Sequence, residues 1–343
     1  MAYSGISKPS LHFNTKLYTG TGSAQNITGV GFQPDWVWTK QRSGTEHHNS
    51  NDAVRGATKV IFPNLNNAEQ TVSNLITGFV SDGFSVGDNA GANNNGSTYA
   101  SWNWKANGAG SSNTDGTINS TVSANTTNGF SIVKYAANQT AGATIGHGLG
   151  VAPKMIILKG LEVTENWIVY HEHLGNGKYM QLNGTQSQST ATNIWNDTSP
   201  TSSVFSIGNS GKVNNGTDDY IAYCFAEKKG YSKFGYYEGN GSTNGRFIYT
   251  GFKPAFIIYK RYDSGSYNWV LVDNKRGAGD DELIKKYFHP DTNSAEGSTT
   301  IMDFLSNGFK LRIGDTTSNQ GSIVYMAFAE EPLVANVGNS IPA

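Results

Sequence analysis

The chain has 343 residues, 37% of them hydrophobic, enough to bury two or three modest cores and to make domains of about 100 residues a natural division. Only 15% are charged, and 25 Lys plus Arg against 26 Asp plus Glu leave a formal charge of −1, so there is no electrostatic footprint for nucleic acid or an anionic membrane surface. The 41 glycines and 12% aromatic content describe short strands joined by tight turns and leave little room for long helices.

The opening residues, Met1 to Gly5, show neither a basic nor an apolar leader region, and no stretch approaches the roughly 18 apolar residues that span a bilayer. Assembly in the cytoplasm and no membrane insertion are the expectations. Residues 1–13 read as an N-terminal arm. A first unit, 14–106, opens with an aromatic strand and Gly-rich turn, Lys16-Leu-Tyr-Thr-Gly-Thr-Gly-Ser23. A corner proline then leads into an apolar strand, Gly31-Phe-Gln-Pro-Asp-Trp-Val-Trp38, and proline is tolerated at a strand's first residue because no interior ladder bond is lost there. A Phe strand follows at Asp82-Gly-Phe-Ser-Val-Gly87, and the closing strand is Tyr99-Ala-Ser-Trp-Asn-Trp-Lys-Ala106.

Residues 107–127 lack apolar periodicity and read as a linker, with room for a short added strand near Ile118 to Val122. The same four signals then return. A second unit, 128–227, carries Val133-Lys-Tyr135, the corner Pro153 before Met155-Ile-Ile-Leu158, Val204-Phe-Ser-Ile-Gly208 and Tyr220-Ile-Ala-Tyr-Cys-Phe-Ala-Glu227. After the short join Lys228-Lys-Gly-Tyr231, a third unit, 228–333, carries Tyr236-Tyr-Glu-Gly-Asn-Gly-Ser242, the corner Pro254 before Ala255-Phe-Ile-Ile-Tyr259, Gly308-Phe-Lys-Leu-Arg-Ile-Gly314 and Ile323-Val-Tyr-Met-Ala-Phe-Ala-Glu330; residues 334–343 form a C-terminal tail. From corner proline to late Phe the offsets are 50, 52 and 55, and from that Phe to the closing strand 15, 15 and 14.

Period two is readable in the closing strands. Trp102 and Trp104, Tyr223 and Phe225, and Met326 and Phe328 share one face, with mostly small or polar residues on the other, which describes a sheet with one well-packed face. The expected fold is all-β: three tandem β-sandwich repeats of jelly-roll or lectin-like type, each of about 100 residues, with a closed β-barrel as the alternative.

Candidate chemistry is sparse. The most specific constellation appears twice, as Asp52, Arg55 and Glu69 and as Asp273, Arg276 and Glu296. A pair of acids could hydrolyse a glycosidic bond, but a neighbouring Arg opposes the raised acid that chemistry needs, so a structural Arg-carboxylate clasp is the favoured reading. The second unit has Trp167-Ile-Val-Tyr-His-Glu-His-Leu174 in the corresponding place, without the Arg. His171 and His173, two apart in a strand-like run, would share a face and tempt a metal assignment, as do Glu46, His47 and His48, but neither set has a convincing third ligand.

Cys224 reads as a buried, inert thiol, and Asn26, Asn183 and Asn240 lie in glycosylation-like tripeptides better read as turn chemistry. There is no nucleophile elbow, phosphate loop or Cys-x-x-Cys, so no catalytic residue, cofactor or metal is assigned. Aromatics in turn regions are the best functional lead, since their faces stack on sugar rings.

Phe13 to Gly22, Gly31 to Trp38, Ser81-Asp-Gly-Phe84, Trp102-Asn-Trp-Lys-Ala106, Tyr231-Ser-Lys-Phe-Gly235 and Met326-Ala-Phe-Ala-Glu330 together resemble a family of marine bacteriophage proteins described as tail-fibre-like or virion structural proteins. The resemblance implies a virion location and an adhesive, lectin-like role. Other virion proteins, and a host cell-surface glycan, would be the partners, within a homo-oligomer for which a trimer is favoured.

Overall fold

The computed structural model describes residues 4–277 and 283–332. Residues 1–3 of the expected arm, and the expected tail 334–343, lie outside the described residues. Among those described, the chain is all-β, with one α-helical turn, Ala90–Asn93, and two short 3-10 turns, Pro9–Leu11 and Glu172–Leu174.

Three main sheets share one strand order. In the first unit the opening strand Phe13–Thr19 pairs with the closing strand Thr98–Trp104, which pairs with the proline strand Trp36–Gln41, which pairs with Asn49–Asp52. The second unit repeats the order with Phe130–Ala136, Asp219–Phe225, Met155–Gly160 and Ile168–His171, and the third with Ser232–Glu238, Ser322–Pro332, Phe252–Arg261 and Val270–Asp273. All these pairings are antiparallel. Over each sheet lies a second layer that holds the late Phe: Phe84 beside Ile27, Phe205 beside Ile145, and Phe309 beside Ile248.

The sandwich character is therefore present, but the three units are not self-contained. The large residues of the closing strands, Trp102, Trp104, Tyr223, Phe225, Met326 and Phe328, all enter one central core that also receives Phe13, Trp36, Phe130 and Phe256. Trp36 of the first unit stacks on Tyr223 of the second, with ring centroids 4.2 Å apart, and Phe13 stacks on Phe328 of the third at 5.1 Å. The expectation of one packed face per sheet is corrected: Cys224 and Ala222 behind the second closing strand, and Tyr325 and Ala327 behind the third, are buried in outer cores as well. Periodicity separates two faces but cannot tell a solvated face from one covered by small residues.

Polar contacts close the three units into a ring. The Glu69 amide donates to the Leu161 carbonyl at 2.7 Å, the Gln188 amide to Tyr262 at 3.0 Å, and the Glu296 amide to Arg42 at 3.0 Å, so each unit's long loop reaches the end of the next unit's proline strand. Indoles run the other way, with Trp167 Nε1 donating to the Phe62 carbonyl at 3.0 Å and Trp269 Nε1 to Gln181 at 2.8 Å. His48 takes the third position, against the backbone of His289.

The segment 107–127, expected to be a linker with room for a short strand near Ile118 to Val122, carries two strands and packs on the second unit. Ser111–Asn113 and Ser120–Asn125 form an antiparallel hairpin whose second strand pairs along the opening strand Phe130–Ala136. Its few apolar residues, Ile118 and Val122, are both buried, and the short added strand expected near them is present as Ser120–Asn125.

No unit can leave without exposing its share of the central core, so heat unfolding should appear as one calorimetric transition. Trp36→Ala, which opens a cavity between two units, should cost about 3–5 kcal/mol and lower that single midpoint. Resolved transitions for separate units would contradict the shared core.

Candidate functional site

The structure brings Asp52, Arg55 and Glu69 together, and likewise Asp273, Arg276 and Glu296. One carboxylate oxygen of Asp52 caps the turn that follows by accepting the Val54 and Arg55 amides, and the other receives Arg55 Nε at 2.6 Å. Arg55 also donates to Glu69 at 3.0 Å and to the Ser50 carbonyl at 3.0 Å. Asp273 and Arg276 repeat this, with Nε to Oδ2 at 2.6 Å, Arg276 reaching Glu296 at 3.3 Å and the Leu271 carbonyl at 3.0 Å. Glu296 is gripped from its other side by Arg42 in a two-pronged pair, both contacts at 2.9 Å.

These clusters sit where units meet. Tyr223 of the second unit donates its hydroxyl to Asp52 at 2.8 Å, and Trp102 of the first donates Nε1 to Asp273 at 2.9 Å. Burial works against the charge on Arg55, but Asp52, Tyr223 and Glu69 outweigh it and push the guanidinium above its usual value. The carboxylates of each cluster are joined through a guanidinium, not set across a cleft from one another. A geometry for two-acid hydrolysis, with room for a sugar between the acids, is not what these contacts build.

At the third meeting point the Asp is replaced by His171, buried with Nε2 3.3 Å from the Tyr325 carbonyl and driven down to about 4 by desolvation. The expectation that His171 and His173 share a face is corrected. The strand ends at His171, whose Nδ1 accepts the His173 amide as the chain turns, and His173 stacks instead on Tyr236 with ring centroids 3.6 Å apart. His48 accepts Trp38 Nε1 at 2.9 Å, while His47 faces Asn64. Among the described residues no group of three His, Cys, Asp or Glu is placed to hold a metal. Cys224 is buried, which pushes its thiol up.

Two buried polar sets went unnoticed in the sequence. Lys40, Lys159 and Lys260 each lie six residues after a corner proline and are fully buried, and burial lowers each to about 8. A lysine so shifted suits amine chemistry, yet each amine here donates to backbone carbonyls at a strand end or in a loop: Lys40 to Gln41 and Gly44, Lys159 to Gly160 and Val163, Lys260 to Gly184 and Tyr267. Recurrence in all three units marks a folding role. Asn93, Asn214 and Asn319, nine or ten residues after the late Phe, likewise tie two loops: Asn93 donates to Gly87 and Ser23, Asn214 to Gly208 and Thr140, Asn319 to Ile313 and Ser242. The nearly equal offset was the available signal.

One feature belongs to a single unit. A groove of about 850 Å³ runs between the opening strand Ser232–Glu238 and the strand Phe247–Tyr249 of the third unit, with Glu172 and His173 of the second at its rim. Tyr236, Phe247 and Tyr249 line it, three of the five most exposed large hydrophobic side chains among the described residues. Tyr237, Ile248 and Tyr325 lie beneath, and Gly235 leaves space for the Tyr325 ring, which a Cβ at that position would meet at 2.7 Å. Glu238, Lys233 and Arg246 add charges of both signs.

The sequence profile of a domain of unknown function, DUF7483, matches residues 8–332. The chain belongs to the DUF7483 family. That one profile spans all three units agrees with the single core they share. No curated protein and no solved structure matches the chain.

In this DUF7483 chain, Arg276→Met should cost about 3–5 kcal/mol in denaturant unfolding because Asp273 is left buried and unpaired. Adding Asp273→Asn should recover part of the loss, and a double variant as unstable as the sum of the singles would argue against the clasp. A second expectation concerns the lysines. The folded chain releases their protons near pH 8, whereas the unfolded chain holds them to about 10.5, so the unfolded state binds more protons in between. Unfolding free energy should therefore rise from pH 8 to 9, below the range where unfolded tyrosines ionise; a fall across that window would show that the native amines keep full charge.

Proposed function

We propose that this chain is a structural and adhesive protein of a phage particle, not an enzyme, that docks to another macromolecule through the groove of its third unit. The observation that supports this most is a division of labour. The buried Asp, Arg, Lys and Asn side chains are engaged in holding loops and units together, while large exposed aromatic surface gathers at one groove. Such surface is expensive to leave in water and marks an interaction site. The virion location rests on the resemblance of the sequence motifs to marine phage fibre-like proteins, and homo-oligomeric display of the groove would add avidity.

A second reading, a carbohydrate-binding fibre module, is favoured by one feature: tyrosine faces at Tyr236 and Tyr249 beside the polar groups of Glu172, Glu238 and Arg246, the side chains that stack on sugar rings and bond to hydroxyls.

Immunogold labelling of intact particles should place the protein on their surface. Tyr236→Ala combined with Tyr249→Ala should lower binding to host cells or to purified particles at least tenfold with an unchanged melting temperature. Unaltered binding to both, by a folded double variant, would remove the groove from the reading. Binding that follows a glycan on an array would select the carbohydrate reading.

A further inference from the structure

The three units differ in how they treat the gap between the opening strand and its neighbour in the outer layer. In the second unit the chain fills it. Ser120–Asn125 runs antiparallel along Phe130–Ala136, from Ser120 opposite Tyr135 to Asn125 opposite Phe130. Just before it, Ile118 forms a parallel bridge to Ile145 of the strand Ala143–Gly146, with its amide donating to the Thr144 carbonyl at 3.0 Å. Ile118 and Val122, four apart and on one face, are buried with Tyr135 and Ile145.

The third unit has the same two strands, and among the described residues no strand lies between them. Tyr237 matches Tyr135, since each donates its hydroxyl at 2.7 Å to a loop carbonyl, Ser318 and Val213 respectively. Ser232–Glu238 and Phe247–Tyr249 are the two terminal strands of the eight-stranded third sheet and both line the groove; Ser232–Glu238 pairs, among the described strands, with Ser322–Pro332 alone. At the start of that edge Glu227 accepts the Phe234 amide at 3.3 Å and pairs with Lys233, and further along His173 of the second unit stacks on the Tyr236 ring, a side-chain contact that leaves the main-chain edge to a partner. In the first unit, by contrast, side chains cross the gap, as where Asn14 donates to the Val30 carbonyl at 2.9 Å.

We infer that the third-unit groove accepts an extended polypeptide strand from another chain, which pairs with the Ser232–Glu238 edge as Ser120–Asn125 pairs in the second unit. An open edge supplies main-chain hydrogen bonds to any added strand, and the floor selects its side chains. The occupant is uncharged, rich in small and β-branched residues, with two apolar side chains four apart to lie over Tyr237, Ile248 and Tyr325, as Ile118 and Val122 lie over their counterparts. This inference goes beyond the adhesive reading and holds wherever the protein acts.

The probe is a fluorescent peptide of residues 116–127 of this chain, titrated against the full-length protein by anisotropy. Saturable binding is expected, lost at least tenfold in Tyr236→Pro, which cannot donate from the edge, while exchange into the second unit would be unaffected by that variant. Should Tyr236→Pro fail to fold, peptides N-methylated at Thr121, Ser123 and Asn125, or instead at Ser120, Val122 and Ala124, decide the matter on the unaltered protein. One set should weaken binding at least tenfold and the other should not, because only alternate amides face the acceptor edge. Equal binding of both sets, no binding of the unmodified peptide, or a groove that takes an oligosaccharide and not the peptide would overturn the inference.

Discussion

Each closing strand of this protein is buried on both faces, and that constraint organises the molecule. A sheet with indoles and phenyl rings on its inner side cannot stop at one partner layer, because the second face would stand in water at a cost of about 25 cal/mol for each Å² exposed. Two layers per unit cover the outer face with Phe84, Phe205 or Phe309. The inner face, carrying Trp104, Phe225 or Phe328, is covered chiefly by the other two units. Three such faces meet around one core, each covered by the other two, and the loop amides of Glu69, Gln188 and Glu296 mark that closure at its rim.

Once a core is pooled in this way, polar groups trapped at the seams must be satisfied inside the protein. The seams use one plan with local substitutions. Asp52 and Asp273 each serve a turn, an arginine and the aromatic donor of a neighbouring unit at once, which accounts for a carboxylate rather than an amide at those positions. At the remaining seam a neutral histidine, His171, meets a backbone carbonyl, and no arginine is required because no carboxylate has to be neutralised. The loss of the Arg in the second unit is thus compensated locally.

The sequence made the elements legible wherever a local rule was strong. Corner prolines, the period of two in the closing strands and the late Phe each depend on backbone or face geometry that neighbours in sequence determine. What it left dark depended on partners distant in sequence. Nothing local distinguishes Lys40 as buried, since its cover comes from Gln41 and a turn at Gly44, and around Ser120–Asn125 the sequence offers a short strand near Ile118 to Val122 but not its pairing with Phe130–Ala136. His171 and His173 misled because the alternation rule holds only while a strand lasts, and it ends between them. Of the candidate site, the Asp, Arg and Glu of each cluster were visible as a spaced motif, whereas the groove was not. Tyr236 sits at the position taken by Leu17 in the first unit and Lys134 in the second, and only the surrounding gap makes it exposed.

That comparison bears on where function resides in a protein of repeated units. A residue present in all three, such as the lysine after each corner proline or the asparagine after each late Phe, answers to a demand that the fold makes three times. The demand is then sufficient to explain it, even where burial gives it chemistry that would look catalytic in isolation. A feature present once has no such explanation. The gap beside the opening strand is crossed by side chains in the first unit, filled by the chain in the second and open in the third, although the surrounding framework is the same in each. Folding would have been served by either of the first two solutions. Leaving about half of Tyr236 and Phe247 exposed costs stability that the other two units avoid, a cost that the proposed strand partner would offset.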